Sequence, residues 1–173
     1  MATYFVTDVY LKDNTPVAEN VDSLISGPQI KAAADGWARN ILGTYFYNDL
    51  LAKFNAQTLN PTEITLVQDW LKPAIAWRAC AEIVIAAGFQ LTNKGTQTQS
   101  GDYSATPEYR AQMFVQHHYA DRASFYENRL LEHLIEDGSL YPEFNDDQNK
   151  DSMARKACSN QKGSAFQSGI NII

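Results

Sequence analysis

The stretch that most constrains the fold is residues 62–90, TEITLVQDWLKPAIAWRACAEIVIAAGF followed by Gln90. Ile64, Val67, Leu71 and Ile75 recur at three- and four-residue steps, while Leu66, Trp70, Trp77, Val84 and Ala87 occupy much of the remaining circumference. A helix that is apolar on most sides must be covered on most sides, so the pattern predicts the central helix of a bundle. Arg78 and Glu82 argue against a membrane span, because they fall inside the best apolar window and leave it shorter than the roughly 20 residues a span needs. They stand four residues apart and are expected to pair on one helix face. Pro73 lacks the amide that would bond the carbonyl of Asp69, which predicts a kink there in preference to a stop at Lys72 and a restart.

Asn60-Pro61-Thr62-Glu63 opens this helix with an Asn cap, a proline at the first position and a glutamate that completes a capping box. Upstream, residues 3–11 (TYFVTDVYL) are β-branched and aromatic, and predict a short strand or an extended arm over the bundle that breaks at Asn14, Thr15 and Pro16. Gly27-Pro28 predicts a helix capped by Ser26 or Gly27, whose stripe of Ile30, Ala34, Trp37 and Ile41 ends at Gly43. Thr44 is expected to cap a shorter helix with Tyr47, Leu50, Leu51 and Phe54 inward, unwinding over 55–59.

After Gly88 the chain changes character. LTNKGTQTQSGDYSA has no large apolar residue beyond Leu91 and Tyr103 and predicts a long loop or a hairpin arm. Structureless loops above roughly 12–15 residues are uncommon in compact domains and tend to be functional or disordered. Thr106-Pro107-Glu108 caps the longest helix, 107–137, closed by Gly138. Tyr119, Ala123, Tyr126, Leu130 and Leu134 line one face of it, and Arg110, Arg122, Glu127, Arg129 and Glu132 fall largely elsewhere. The expected fold is therefore all-α: a bundle of about four helices, with the arm between the two longest and an extended C-terminal tail. Residues 1–144 form the helical domain with its N-terminal arm. Residues 145–173 form a polar tail, slightly basic and expected to order on a partner.

A chain of 173 residues supports one domain with a real core. Its net charge of −6 argues against gripping nucleic acid by neutralising phosphates. The two cysteines, Cys80 and Cys158, have no CxxC spacing and fit a reducing compartment; MATYFVTDVYLKD lacks a basic start followed by an apolar run, so no signal peptide is expected and the chain reads as cytoplasmic. His117, His118 and Asp121 have the spacing of ligands on one helix face, yet Phe114, Val115 and Leu130 stand three residues before His117, His118 and His133, where a di-iron bundle wants glutamates. A solvated or interface face is the preferred reading there, and His133 with Glu132 and Glu136 likewise reads as charged surface. No GxSxG, P-loop, HExxH or dinucleotide fingerprint occurs. No catalytic residue, cofactor or metal ligand is assigned, and the chain is expected not to be an enzyme. Trp37, Trp70 and Trp77 read as core; Tyr10, Tyr103 and Tyr141, in arms or turns, are interface anchors or pack on their own subunit. The competing readings are a small helical enzyme or metal-binding protein using His117, His118 and Asp121, and a monomeric regulatory bundle.

Taken together, TPVAENVD at 15–22, ILGTYFYNDLL at 41–51, LKPAIAWRACAE at 71–82, LTNKG at 91–95, YRAQMFVQHHYADRASFYENRLLEHL at 109–134 and YPEFN at 141–145 carry a resemblance. In their order and spacing the chain resembles the head-to-tail connector (adaptor, or ring) proteins of tailed bacteriophages, most closely the ring proteins of crAss-like phages. The resemblance covers about residues 5–145. It implies a structural virion protein, assembled in the host cytoplasm, that forms a ring with copies of itself, twelvefold to match the portal. Such a ring lies in the neck between portal and tail, extends the channel through which genomic DNA passes without specific binding, and docks other neck or tail proteins. No membrane is involved. Asn93, Lys94, Gly95, Thr96, Gln97 and Thr98 in the arm are the expected subunit or channel contacts. Tyr141, Arg155, Lys156, Phe166 and Ile170 are the expected docking residues.

Overall fold

In the computed structural model of the chain, described over residues 4–92, 95–98 and 109–157, the capping box at Asn60 forms as expected. The Asn60 side chain accepts the Glu63 N–H at 2.8 Å, and a Glu63 carboxylate oxygen accepts the Asn60 N–H at 2.8 Å. This box starts α5 (Pro61–Thr65), which runs through a π-helical stretch (Leu66–Leu71) into α6 (Lys72–Gly88). The π turn lies directly ahead of Pro73, and the Lys72 N–H bonds the Val67 carbonyl five residues back. A widened turn thus takes up the register in which proline has no amide to give, and the helix continues.

The chain folds as an all-α bundle around α6. Leu66, Val67, Leu71, Ala74, Ile75, Ala76, Ala79, Cys80 and Ile83 are all buried, while Ile64 and Ile85 reach solvent. α2 (Ser23–Ala33) covers α6 with Ile30 and Ala33, and α7 (Tyr109–Asp137) covers it with Ala123, Leu130 and Leu134, on the face its spacing indicates. α3 (Arg39–Leu42) follows α2 through a second π stretch, Ala34–Ala38, and α4 (Thr44–Ala56) adds an aromatic layer. Phe46 packs on Tyr141 and on Phe144 of α8 (Pro142–Asn145), with centroids 5.8 and 5.7 Å away. Phe5 packs on Tyr47 and Phe54 at 5.7 and 5.3 Å.

Four local expectations give way. The strand or arm expected over 3–11 is instead α1 (Asp8–Asn14), because the Thr7 side chain accepts the Tyr10 N–H and caps a helix there; Phe5, Val6 and Leu11 are buried beneath it. α2 begins at Ser23, not at Pro28, because Asp22 accepts the Leu24 N–H at 2.9 Å; Pro28 lies inside the helix. Gly43 does end α3, at a φ of +87° that favours glycine, but Thr44 is not the cap of α4. The Thr44 N–H is taken by the Asp151 carboxylate, at 3.0 and 3.1 Å.

Asp151 belongs to the expected tail, and the fourth correction concerns that tail. Residues 145–157 pack onto the α3–α4 corner. Asn149 donates to the Leu42 and Phe144 carbonyls at 2.8 and 3.0 Å and accepts the Phe46 N–H at 3.3 Å; Ser152 donates to the Ile41 carbonyl at 2.6 Å. Asn149, Ser152 and Ala154 are fully buried.

Between α6 and α7, the backbone of β1 (Phe89–Thr92) pairs antiparallel with β2 (Gly95–Thr98), from Phe89 opposite Thr98 to Thr92 opposite Gly95. The arm therefore starts as a hairpin. Gly95, expected at a sharp turn, opens the second strand. No helix among the described residues is long and apolar enough to cross a membrane.

Candidate assembly surfaces

α7 buries one face and leaves the other open. On the open face Phe114 is 76% exposed and Phe125 is 57% exposed, eleven residues and three turns further along the same line. His117, His118, Asp121, Arg122 and Arg129 are exposed around them. His118, Asp121, Arg122 and Phe125 line an open groove of about 370 Å³. The arginines lean on the tryptophans of the central helix: the Arg122 guanidinium lies 5.5 Å from the Trp77 ring centroid and that of Arg129 4.8 Å from the Trp70 ring. Each guanidinium is thus within cation–π reach of a tryptophan ring while staying accessible. Trp70 and Trp77 are half-buried, and Trp37, expected in the core, is 46% exposed.

Trp37 lies outside because it covers an ion pair. Arg78 does not pair with Glu82 as its spacing suggests; it forms a bidentate bridge to Glu127 of α7, with both contacts at 2.7 Å and both residues buried. The Trp37 ring lies 3.8 Å from the guanidinium. Glu127, expected on the outer face of α7, thus locks α7 onto α6. An arginine inside an apolar window requires such a partner, and in sequence that requirement is the signal for a residue like Glu127.

His133 is also drawn inward. Its ring stacks on Trp70 with centroids 4.6 Å apart, Nε2 lies 2.9 Å from the Tyr141 hydroxyl and Nδ1 3.2 Å from Asp137. Burial pushes the Tyr141 hydroxyl up to about 12. Tyr141 is only 2% exposed, so this expected docking residue is a core residue of the α4–α8 corner. Arg155 is half-buried and donates to the Asp146 carbonyl; Lys156 is exposed. Phe166 and Ile170 lie outside the described residues, as do Asn93, Lys94 and Tyr103, while Gly95, Thr96, Gln97 and Thr98 make up β2.

His117, His118 and Asp121 share the open α7 face. The carboxylates that do converge among the described residues are Asp49, Glu63 and Glu143, and the Lys53 ammonium bridges them at 2.7, 2.8 and 2.9 Å. Burial opposes protonation of Lys53, but the bonds to the three carboxylates outweigh it and hold its pKa above the ordinary lysine range. This node ties α4, α5 and α8 together and fills the place where a cation would bind. Cys80 is buried, which pushes its thiol up to about 11, so it is a packing residue at neutral pH.

The fold and these surfaces define an all-α bundle with an aromatic and arginine-lined helix face open to solvent. The chain belongs to DUF6712, a family of unknown function, whose model matches residues 38–153. No curated protein and no solved structure matches it significantly. The matched stretch runs from α3 through the packed polar segment, so it includes Asn149, Asp151 and Ser152.

Proposed function

We propose that the chain is a structural ring subunit of the neck of a tailed-phage virion, set between portal and tail, where it extends the DNA channel and docks tail components. The observation that carries the reading is the outer face of α7. Large exposed aromatics on a rigid helix, flanked by arginines within cation–π reach of tryptophan rings, have the residue types that concentrate binding energy in protein interfaces. The hairpin between α6 and α7 gives each subunit a second element with which to reach a neighbour through backbone pairing. The net charge of −6 suits a conduit past which DNA must slide without sticking.

The resemblance to connector proteins supplies the geometry of the proposal: a twelvefold ring of identical subunits, with the portal, further neck rings and tail proteins as partners, in a virion assembled in the host cytoplasm. Deleting residues 93–102 tests it. The expected product is a folded helical monomer, by circular dichroism and sedimentation, that no longer forms rings; a deletion variant that still sediments as a ring contradicts the role given to the hairpin.

A further inference from the structure

Resting on the ring reading, we infer that the α7 face of one subunit is covered by a different surface of the next: the acidic edge formed by α1 and the start of α2. The α7 face is locally basic in an acidic chain. Between Arg110 and Leu131 it exposes Arg110, Arg122 and Arg129 against Asp121 alone, because Glu127 is buried on Arg78; it turns acidic only from Glu132. The α1–α2 edge has the opposite character. Asp13, Glu19 and Asp22 are exposed there, the sequence from Asp13 to Ile30 contains no lysine or arginine, and Lys12 is engaged by Asp8 at 2.8 Å.

Each surface also carries its own apolar tips. Leu24 is 81% exposed and Val9 67%, to set against Phe114 and Phe125. α1 and α2 are held as one edge by the Ser26 hydroxyl donating to Asp8, so Val9 and Leu24 are presented by a fixed pair of helices. α2 and α7 each pack on α6 with their buried residues, so the exposed residues of the α1–α2 edge and of α7 form two separate patches on one subunit. Two unlike, complementary patches on one subunit make a head-to-tail contact, the kind that closes into a ring; a patch matching itself would stop at a dimer. The same face could instead meet duplex DNA, and the test separates the two.

The experiment uses the full chain carrying Cys158→Ser, with Cys80 buried and unreactive. Leu24→Cys and Phe114→Cys are made separately, mixed under assembling conditions and treated with a short bis-maleimide. Cross-linked dimer is expected in the mixture and not in either variant alone, and a chain carrying both cysteines is expected to give a ladder up to the closed ring. Arg122→Glu with Arg129→Glu should raise the concentration needed for assembly about tenfold, and Asp13→Lys with Glu19→Lys in the same chain should restore it. Cross-linking in Phe114→Cys alone, rings without the 24–114 link, or a duplex DNA mobility shift abolished by the arginine reversals in place of assembly would each overturn the pairing. Rings without that link leave the ring reading intact, whereas no assembly at any concentration, with or without the portal, removes both.

Discussion

Arg78 lies in the most apolar stretch of the chain and is tolerated there because Glu127 meets it from α7 in a two-bond fork and Trp37 covers it. Removing one partner leaves a buried charge alone, so Glu127→Ala should cost about 3–5 kcal/mol in chemical denaturation, while Arg78→Met with Glu127→Leu should recover most of it. A double variant as unstable as the single one would show that the pair does more than balance charge. Two other carboxyls contribute to the response to acid. Hydrogen bonds from Thr44 hold Asp151 below the usual carboxylate range, and Lys53 does the same for Glu143. Each is more acidic folded than unfolded, so its contribution is present above the unfolded pKa and is lost as pH falls through the folded one. The urea midpoint should therefore drop below about pH 4, and Asp151→Asn should flatten part of that drop. At this scale the sequence shows that Arg78 needs a partner but favours the near residue, Glu82. The true partner comes from a different helix, and spacing along one helix carries no information about it.

The elements follow the same division between local and distant causes. The capping box, the C-terminal glycine at 43 and the inward face of α7 rest on neighbours a few residues apart, and all are legible in sequence. The packed segment 145–157 is not, because it depends on what lies across the fold; for the π turn ahead of Pro73 the sequence shows the missing amide but not the widened turn that answers it. A polar run such as NDDQNKDS reads as a solvated tail until α3 and α4 are placed beside it with unsatisfied backbone groups at their junction. Gly43 is the hinge of that junction. A side chain there would strain the backbone at a φ of +87° and meet the Asn149 Oδ1 at 2.1 Å. Gly43→Ala should thus destabilise the fold by about 2 kcal/mol or more, and Asn149→Ala, which orphans buried backbone groups, by about 1–3 kcal/mol. Truncation after Asn145 should accordingly unsettle the bundle and lower its melting temperature below that of the full chain.

For the whole molecule, the all-α class and the central place of 62–90 were written in the apolar pattern, since burial of a helix on most sides admits few architectures. The candidate interfaces were less visible. Phe114 and Phe125 stand among charged residues and score as an unremarkable helix face until the inward face is fixed; only then does their exposure mark a surface left without cover. Ring formation underlies both the proposed function and the pairing of α7 with the α1–α2 edge. It is tested by native mass spectrometry of the full chain, alone and with the portal protein of the virion to which the proposed function assigns it, with negative-stain imaging of the same samples. Closed rings of one uniform subunit number are expected, alone or on the portal; a monomer at every concentration that leaves the portal's mass unchanged would overturn the proposal.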